Sequence, residues 1–144
     1  ELPCPFDYFF YDEWSVAEEL GYTIDTELQP NEINLIGIEK DNQKIILNVL
    51  NQGDNPAQLI ECRVVGIWLF DDMDVDWVYA GQITKNSTRE DIVNLFGEPT
   101  SCSSDDNLEY LWYEQEINNK YTAISFTVNK SKQTTSMNIQ LYKE

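Results

Sequence analysis

The sharpest alternation of apolar and polar positions along the chain lies in "NSTREDIVNLFGEPTS", residues 86–101. Ser87-Thr88-Arg89-Glu90 has the spacing of a capping box, in which a hydroxyl accepts from the third helical N–H and the glutamate reaches back. Ile92, Val93, Leu95 and Phe96 then form one apolar stripe at helical spacing. Gly97 offers a left-handed exit, and Pro99 blocks continuation. The pattern predicts a short helix that packs on a sheet, because burying such a stripe contributes about 1.5–3 kcal/mol per large side chain.

Beyond this helix the pattern shifts to a period of two. "LEYLWYE" (108–114) sets Tyr110 and Trp112 on one face and Leu111 and Tyr113 on the other. "KYTAISFTV" (120–128) aligns Ile124, Phe126 and Val128. In "TSMNIQLY" (135–142), Met137, Ile139 and Leu141 oppose Ser136, Asn138, Gln140 and Tyr142. The connectors "QEINN" and "NKSKQT" have hairpin chemistry.

The first half carries three similar strand patterns: "NEINLIGIEK" (31–40), "QKIILNVLN" (43–51) and "QLIECRVVGIWLF" (58–70). In "EWSVAEELG" (13–21), Val16, Ala17 and Leu20 form a stripe before Gly21, which predicts a helix. "CPFDYFFYD" is its rival, with Pro5 at a first helical position and Phe6, Phe9 and Phe10 as the stripe, and the two can form one helical region. Sliding the halves until Gly21 falls on Gly97 lays 33–38 on 109–114 and 42–50 on 118–126. This order of elements predicts an internal repeat. The expected fold is α+β: two tandem α-β-β-β repeats forming a curved antiparallel sheet with helices on one face. Residues 1–70 form the first repeat, 71–86 an acidic connector and 87–144 the second repeat, all in one compact unit. "WVYAG" (77–81) adds a candidate strand before the second helix.

Composition narrows the chemistry. The 144 residues include 4 Trp, 8 Tyr and 6 Phe, enough for a substantial core, and carry a net charge of −17 from 9 Lys plus Arg against 26 Asp plus Glu. Nucleic acid is thereby disfavoured as a partner, as is an anionic membrane surface, because affinity for either comes from cationic side chains. A cationic partner, bound cations or simple solubility fit the charge. The chain has no histidine, which removes Ser-His and Cys-His catalysis and most zinc sites. Cys4, Cys62 and Cys102 allow three alternative single disulfides without a CxxC pair. They are expected to be buried or singly paired thiols. No apolar run is long enough to span a membrane. Starting at Glu1, the chain reads as a trimmed mature segment.

"FDDMDVDW" (70–77) looks most like a metal site, with Asp72, Asp74 and Asp76 at calcium-loop spacing. Trp77 stands where such a loop needs glycine and Ile83 where it needs a bidentate glutamate, so an acidic linker is the expectation and no metal or cofactor is assigned. Asn86-Ser87-Thr88 matches a glycosylation sequon, but Ser87 is already taken as the helix cap. No G-x-S-x-G, P-loop or Gly-rich dinucleotide fingerprint is present, and no enzymatic activity is expected. The aromatics are more informative. If helices cover one face of the sheet, Tyr110, Trp112, Tyr121 and Tyr142 lie on the other, a composition suited to protein binding; the alternative places Tyr110 and Trp112 in the core and leaves Tyr113 exposed.

With its turn, capped helix and Gly-x-Pro, "GQITKNSTREDIVNLFGEPTS" (81–101), followed by "LEYLWY" and "ISFTV", resembles the module of the β-lactamase-inhibitor-protein fold. A similar module occurs in small outer-membrane assembly lipoproteins. The acidic, Asn-rich chain also resembles lipoproteins of Gram-positive gut bacteria. The resemblance implies an extracytoplasmic binding protein, at the cell surface or anchored to the membrane through an N-terminal lipid outside this sequence. Its partner would be an unidentified envelope or secreted protein, docked on the open aromatic face. The alternative is a carbohydrate- or peptide-binding or hydrolytic accessory domain using carboxylates in the concavity.

Overall fold

The computed structural model describes residues 2–7, 9, 13–72, 77–117 and 120–141. Of these, 51% lie in strands and 12% in helices. The chain forms two units, Glu1–Ile67 and Trp68–Glu144.

The first unit contains β1 (Cys4–Pro5), β2 (Ser15–Val16), β3 (Glu27–Leu28), β4 (Ile33–Lys40), β5 (Gln43–Leu50), β6 (Ala57–Gln58) and most of β7 (Arg63–Leu69). Its sheet runs β7-β5-β4-β2, with β1 on β7, while β3 pairs separately with β6. The β4–β5 hairpin turns through Asp41, at φ 54°, and Asn42. It sets Ile36 opposite Leu47 and Ile38 opposite Ile45, and all four are buried. Asn51, only 3% exposed, fastens the following loop. Its amide nitrogen donates to the carbonyls of Leu28 (3.0 Å) and Asn55 (2.8 Å), and its Oδ1 accepts from the N–H of Gly53 at 2.9 Å.

The second unit opens with the last two residues of β7. A short hairpin of β8 (Val78–Tyr79) and β9 (Ile83–Thr84) leads into α1 (Arg89–Phe96). Then β10 (Ser101–Ser104), β11 (Leu108–Ile117), β12 (Lys120–Asn129) and β13 (Thr134–Leu141) form an antiparallel meander in chain order. The registers stack Leu111, Phe126 and Met137 in one row and Tyr113, Ile124 and Ile139 in the next. Against these rows lies the apolar stripe of α1. Ile92 is fully buried, and the Phe96 ring lies 5.3 Å from Tyr113 and 5.5 Å from Phe126. Beyond α1, Gly97 takes φ 80° and ψ −169°, an extended mirror-image conformation open essentially to glycine alone rather than the left-handed helical exit. The Tyr113 hydroxyl donates to the Gly97 carbonyl at 2.9 Å and so pins this exit to the sheet.

These observations overturn the expected α+β fold of two α-β-β-β repeats with helices on one face. Among the described residues the architecture is dominated by antiparallel sheet, with five strands of the large sheet in the first unit and four in the second, and the one α-helix whose bounds are described, α1, is two turns long. Residues 13–21 do not form the helix expected of the first repeat. Within residues 13–21, Ser15 and Val16 pair with Glu39 and Ile38 in β4, and Glu18–Leu20 make one 3₁₀ turn ending at Gly21. The physical reason is local competition. Of the stripe Val16, Ala17 and Leu20, only Ala17 is buried, too little apolar surface to hold a helix in place. The edge of β4 meanwhile accepts this segment's N–H groups, Ala17 donating to the Gly37 carbonyl at 2.8 Å. Of the rival segment, Cys4 and Pro5 form β1, Phe9 is helical, and residues 8 and 10–12 lie outside the described residues.

The second helix also starts one residue later than its sequence suggests. Thr88, not Ser87, is the cap, in a reciprocal box with Asp91 rather than Glu90. Ser87 serves the preceding turn, its hydroxyl accepting from the N–H of Thr84 at 2.9 Å. The three cysteines are free thiols, Cys62 buried, Cys4 half-buried and Cys102 exposed. Burial raises the pKa of the Cys62 thiol, further opposed to ionisation by Glu61 and Glu32.

Candidate binding face

Because side chains alternate along a strand, the rows that face α1 leave a second set on the opposite face of β10–β13. Three cross-strand rows can be read from the register. Ser103, Tyr110, Thr127 and Ser136 form the first; Ser101, Trp112, Ser125 and Asn138 form the second. Glu114, Ala123 and Gln140 form the third, and Tyr121 follows opposite Glu116. Tyr110 is 43% exposed and Tyr121 58% exposed. Trp112 is half-buried, and its indole Nε1 donates to Glu114 Oε1 at 3.1 Å. Tyr110, Trp112 and Tyr121 therefore share one face, with Tyr121 at the far end of it. Tyr142 lies outside the described residues, as do Asp74 and Asp76 of the acidic run.

The same face holds a groove of about 130 Å³. Its floor is Ser125 and Thr127 of β12 with Ser136, Met137 and Asn138 of β13, and its wall is Trp68 and Phe70. The two wall rings stack with centroids 5.9 Å apart and planes 18° from parallel. Asp71 stands at the Ser136 end. Its carboxylate accepts from the hydroxyls of Thr134 and Ser136, and its backbone N–H donates to Ser136 Oγ at 3.0 Å. The Thr134 hydroxyl, aided by that of Ser136, holds the Asp71 carboxyl below the usual carboxylate range against the opposing effect of partial burial. This end of the groove is anionic at neutral pH.

Asn138 is only 6% exposed, yet among the described residues its side-chain amide has no hydrogen-bond partner. The hydroxyls of Ser125 and Thr127 have none either. These groups reach solvent through the groove, which gives its floor unspent donors and acceptors. The wall and the Asn138 amide are the parts of the site that sequence reasoning missed. The signals were present but incomplete: Trp68 and Phe70 stand two apart in a strand, and Ser136 and Asn138 occupy the polar positions of β13. Nothing in the sequence pairs one with the other. Comparisons of the chain with protein-family models, curated proteins and solved structures found no match.

Proposed function

We propose that the chain is a non-enzymatic, extracytoplasmic binding module that holds its ligand on the sheet face opposite α1. The observation that carries this reading is the groove, where stacked aromatics and unpartnered polar groups converge on one concave patch, the usual composition of a ligand site. An extracytoplasmic setting fits the lipoprotein resemblance of the sequence. A second reading, docking of a basic protein surface, is favoured by the exposed Glu114 and Glu116 between Trp112 and Tyr121, since aromatic anchors beside carboxylates suit Lys- and Arg-rich partners.

The test is a pair of NMR titrations on the ¹⁵N-labelled chain, one with neutral oligosaccharides and one with a Lys/Arg-rich decapeptide. The expected result is that at least one probe shifts signals on this face. Trp112→Ala should weaken the response at least tenfold while its melting temperature stays within a few degrees of the parent. If neither probe moves those signals, or if all shifts fall on other surfaces, the reading is overturned.

A further inference from the structure

Resting on that reading of the face, we infer that the groove between the Trp68–Phe70 stack and the floor of β12 and β13 is a subsite for one neutral sugar ring of a glycan. The argument begins with its polar groups. The Asn138 amide and the Ser125 and Thr127 hydroxyls each both donate and accept, and among the described residues none of them has a hydrogen-bond partner. Sugar hydroxyls have the same dual character, so each can exchange bonds in both directions with this floor. A simple cation would use only the acceptors and an anion only the donors, leaving the remaining groups unpaired in a half-enclosed site, which costs binding energy.

The wall supplies the complementary element. Aromatic rings carry a weakly negative face, and the C–H groups on the flatter side of a pyranose are weakly positive. Trp68 and Phe70 line this side of the groove, their rings stacked on each other. Asp71 sets the charge preference. Held ionised by Thr134 and Ser136, it can accept from sugar hydroxyls, but it repels uronic, sialic or sulfated sugars, as does the net charge of −17. At about 130 Å³ the groove has room for several waters, which a sugar ring would displace. Hydroxyls that replace those waters in kind retain their hydrogen bonds.

The experiment uses the full chain with maltohexaose, cellohexaose, chitohexaose and mannohexaose as probes, read by NMR and calorimetry. At least one should shift the amide signals of Ser125, Thr127 and Ser136 together with the side-chain NH₂ of Asn138. Asn138→Asp, nearly isosteric but lacking the donor and adding charge, should weaken that binding at least tenfold. Should the buried position fail to fold with aspartate, Ser125→Ala tests the same floor at a half-buried site and should weaken binding severalfold with an unchanged melting temperature. Equal affinity in the parent and a folded variant would overturn the subsite. So would the absence of binding by all four glycans. If the basic decapeptide alone then shifts the face, the binding reading survives and the sugar assignment falls; if no probe moves it, both fall.

Discussion

At the scale of single residues, the buried polar groups of the two units behave in opposite ways. Asn51 satisfies three main-chain groups from one amide and shapes the loop after β5. Replacing it with an apolar residue of similar size leaves the Leu28 and Asn55 carbonyls and the Gly53 N–H without that partner. Asn51→Leu is therefore expected to cost about 2–3 kcal/mol, from the penalty for groups left unpaired, and a urea titration would measure it. Asn138 is almost equally buried but contributes no such bond. Its amide opens to solvent through the groove instead, where water or a ligand can supply the partner that no described residue provides. This contrast, rather than the aromatics alone, singles out the groove from the rest of the sheet.

Among the elements, α1 depends most on local sequence. Eight residues are too few to hold a helix in water, so its cap and its buried stripe must act together. Thr88→Ala removes the hydroxyl that accepts from the Asp91 N–H and should cost about 1 kcal/mol, seen as a lower urea midpoint. Ser87→Ala would instead loosen the turn at Thr84. The second unit was legible in the sequence because three independent signals agreed there: a cap, a helical stripe, and strands with strict alternation. The two-residue alternation separates Tyr113 from Trp112 but leaves open which of the two faces the core. The first helix was misread because Val16, Ala17 and Leu20 fit a helical stripe only by spacing. A free edge on β4 offered the same residues main-chain hydrogen bonds, and no local pattern reveals that edge. The groove was half legible for a related reason. Alternation identifies Ser136 and Asn138 as outward-facing, but their meeting with Trp68 and Phe70 is a contact between segments far apart in the chain.

For the molecule as a whole, acidity governs the response to pH. Hydrogen bonds hold the Asp71, Asp91 and Asp105 carboxyls below their ordinary range: from the Thr134 hydroxyl to Asp71, the Thr88 N–H to Asp91, and the Leu108 and Asn107 N–H groups to Asp105. A folded-state pKa below the unfolded value of 3.8 stabilises the fold above that value, and the contribution disappears as pH falls through the depressed folded value. Acid also relieves repulsion within a chain of net charge −17, so the effect is best isolated as a difference. The gap in urea midpoint between the parent and Asp71→Asn should be constant above about pH 5 and close as pH falls below about 4. Association between molecules is governed elsewhere, at the end of the second sheet. There β10 is four residues long, wholly exposed, and made of three serines and a cysteine. A neighbouring chain that tried to add a strand would gain few main-chain bonds and no apolar side chains to interlock. So short and hydrophilic a border makes a poor template for a neighbouring strand, and the long aromatic strands lie behind it.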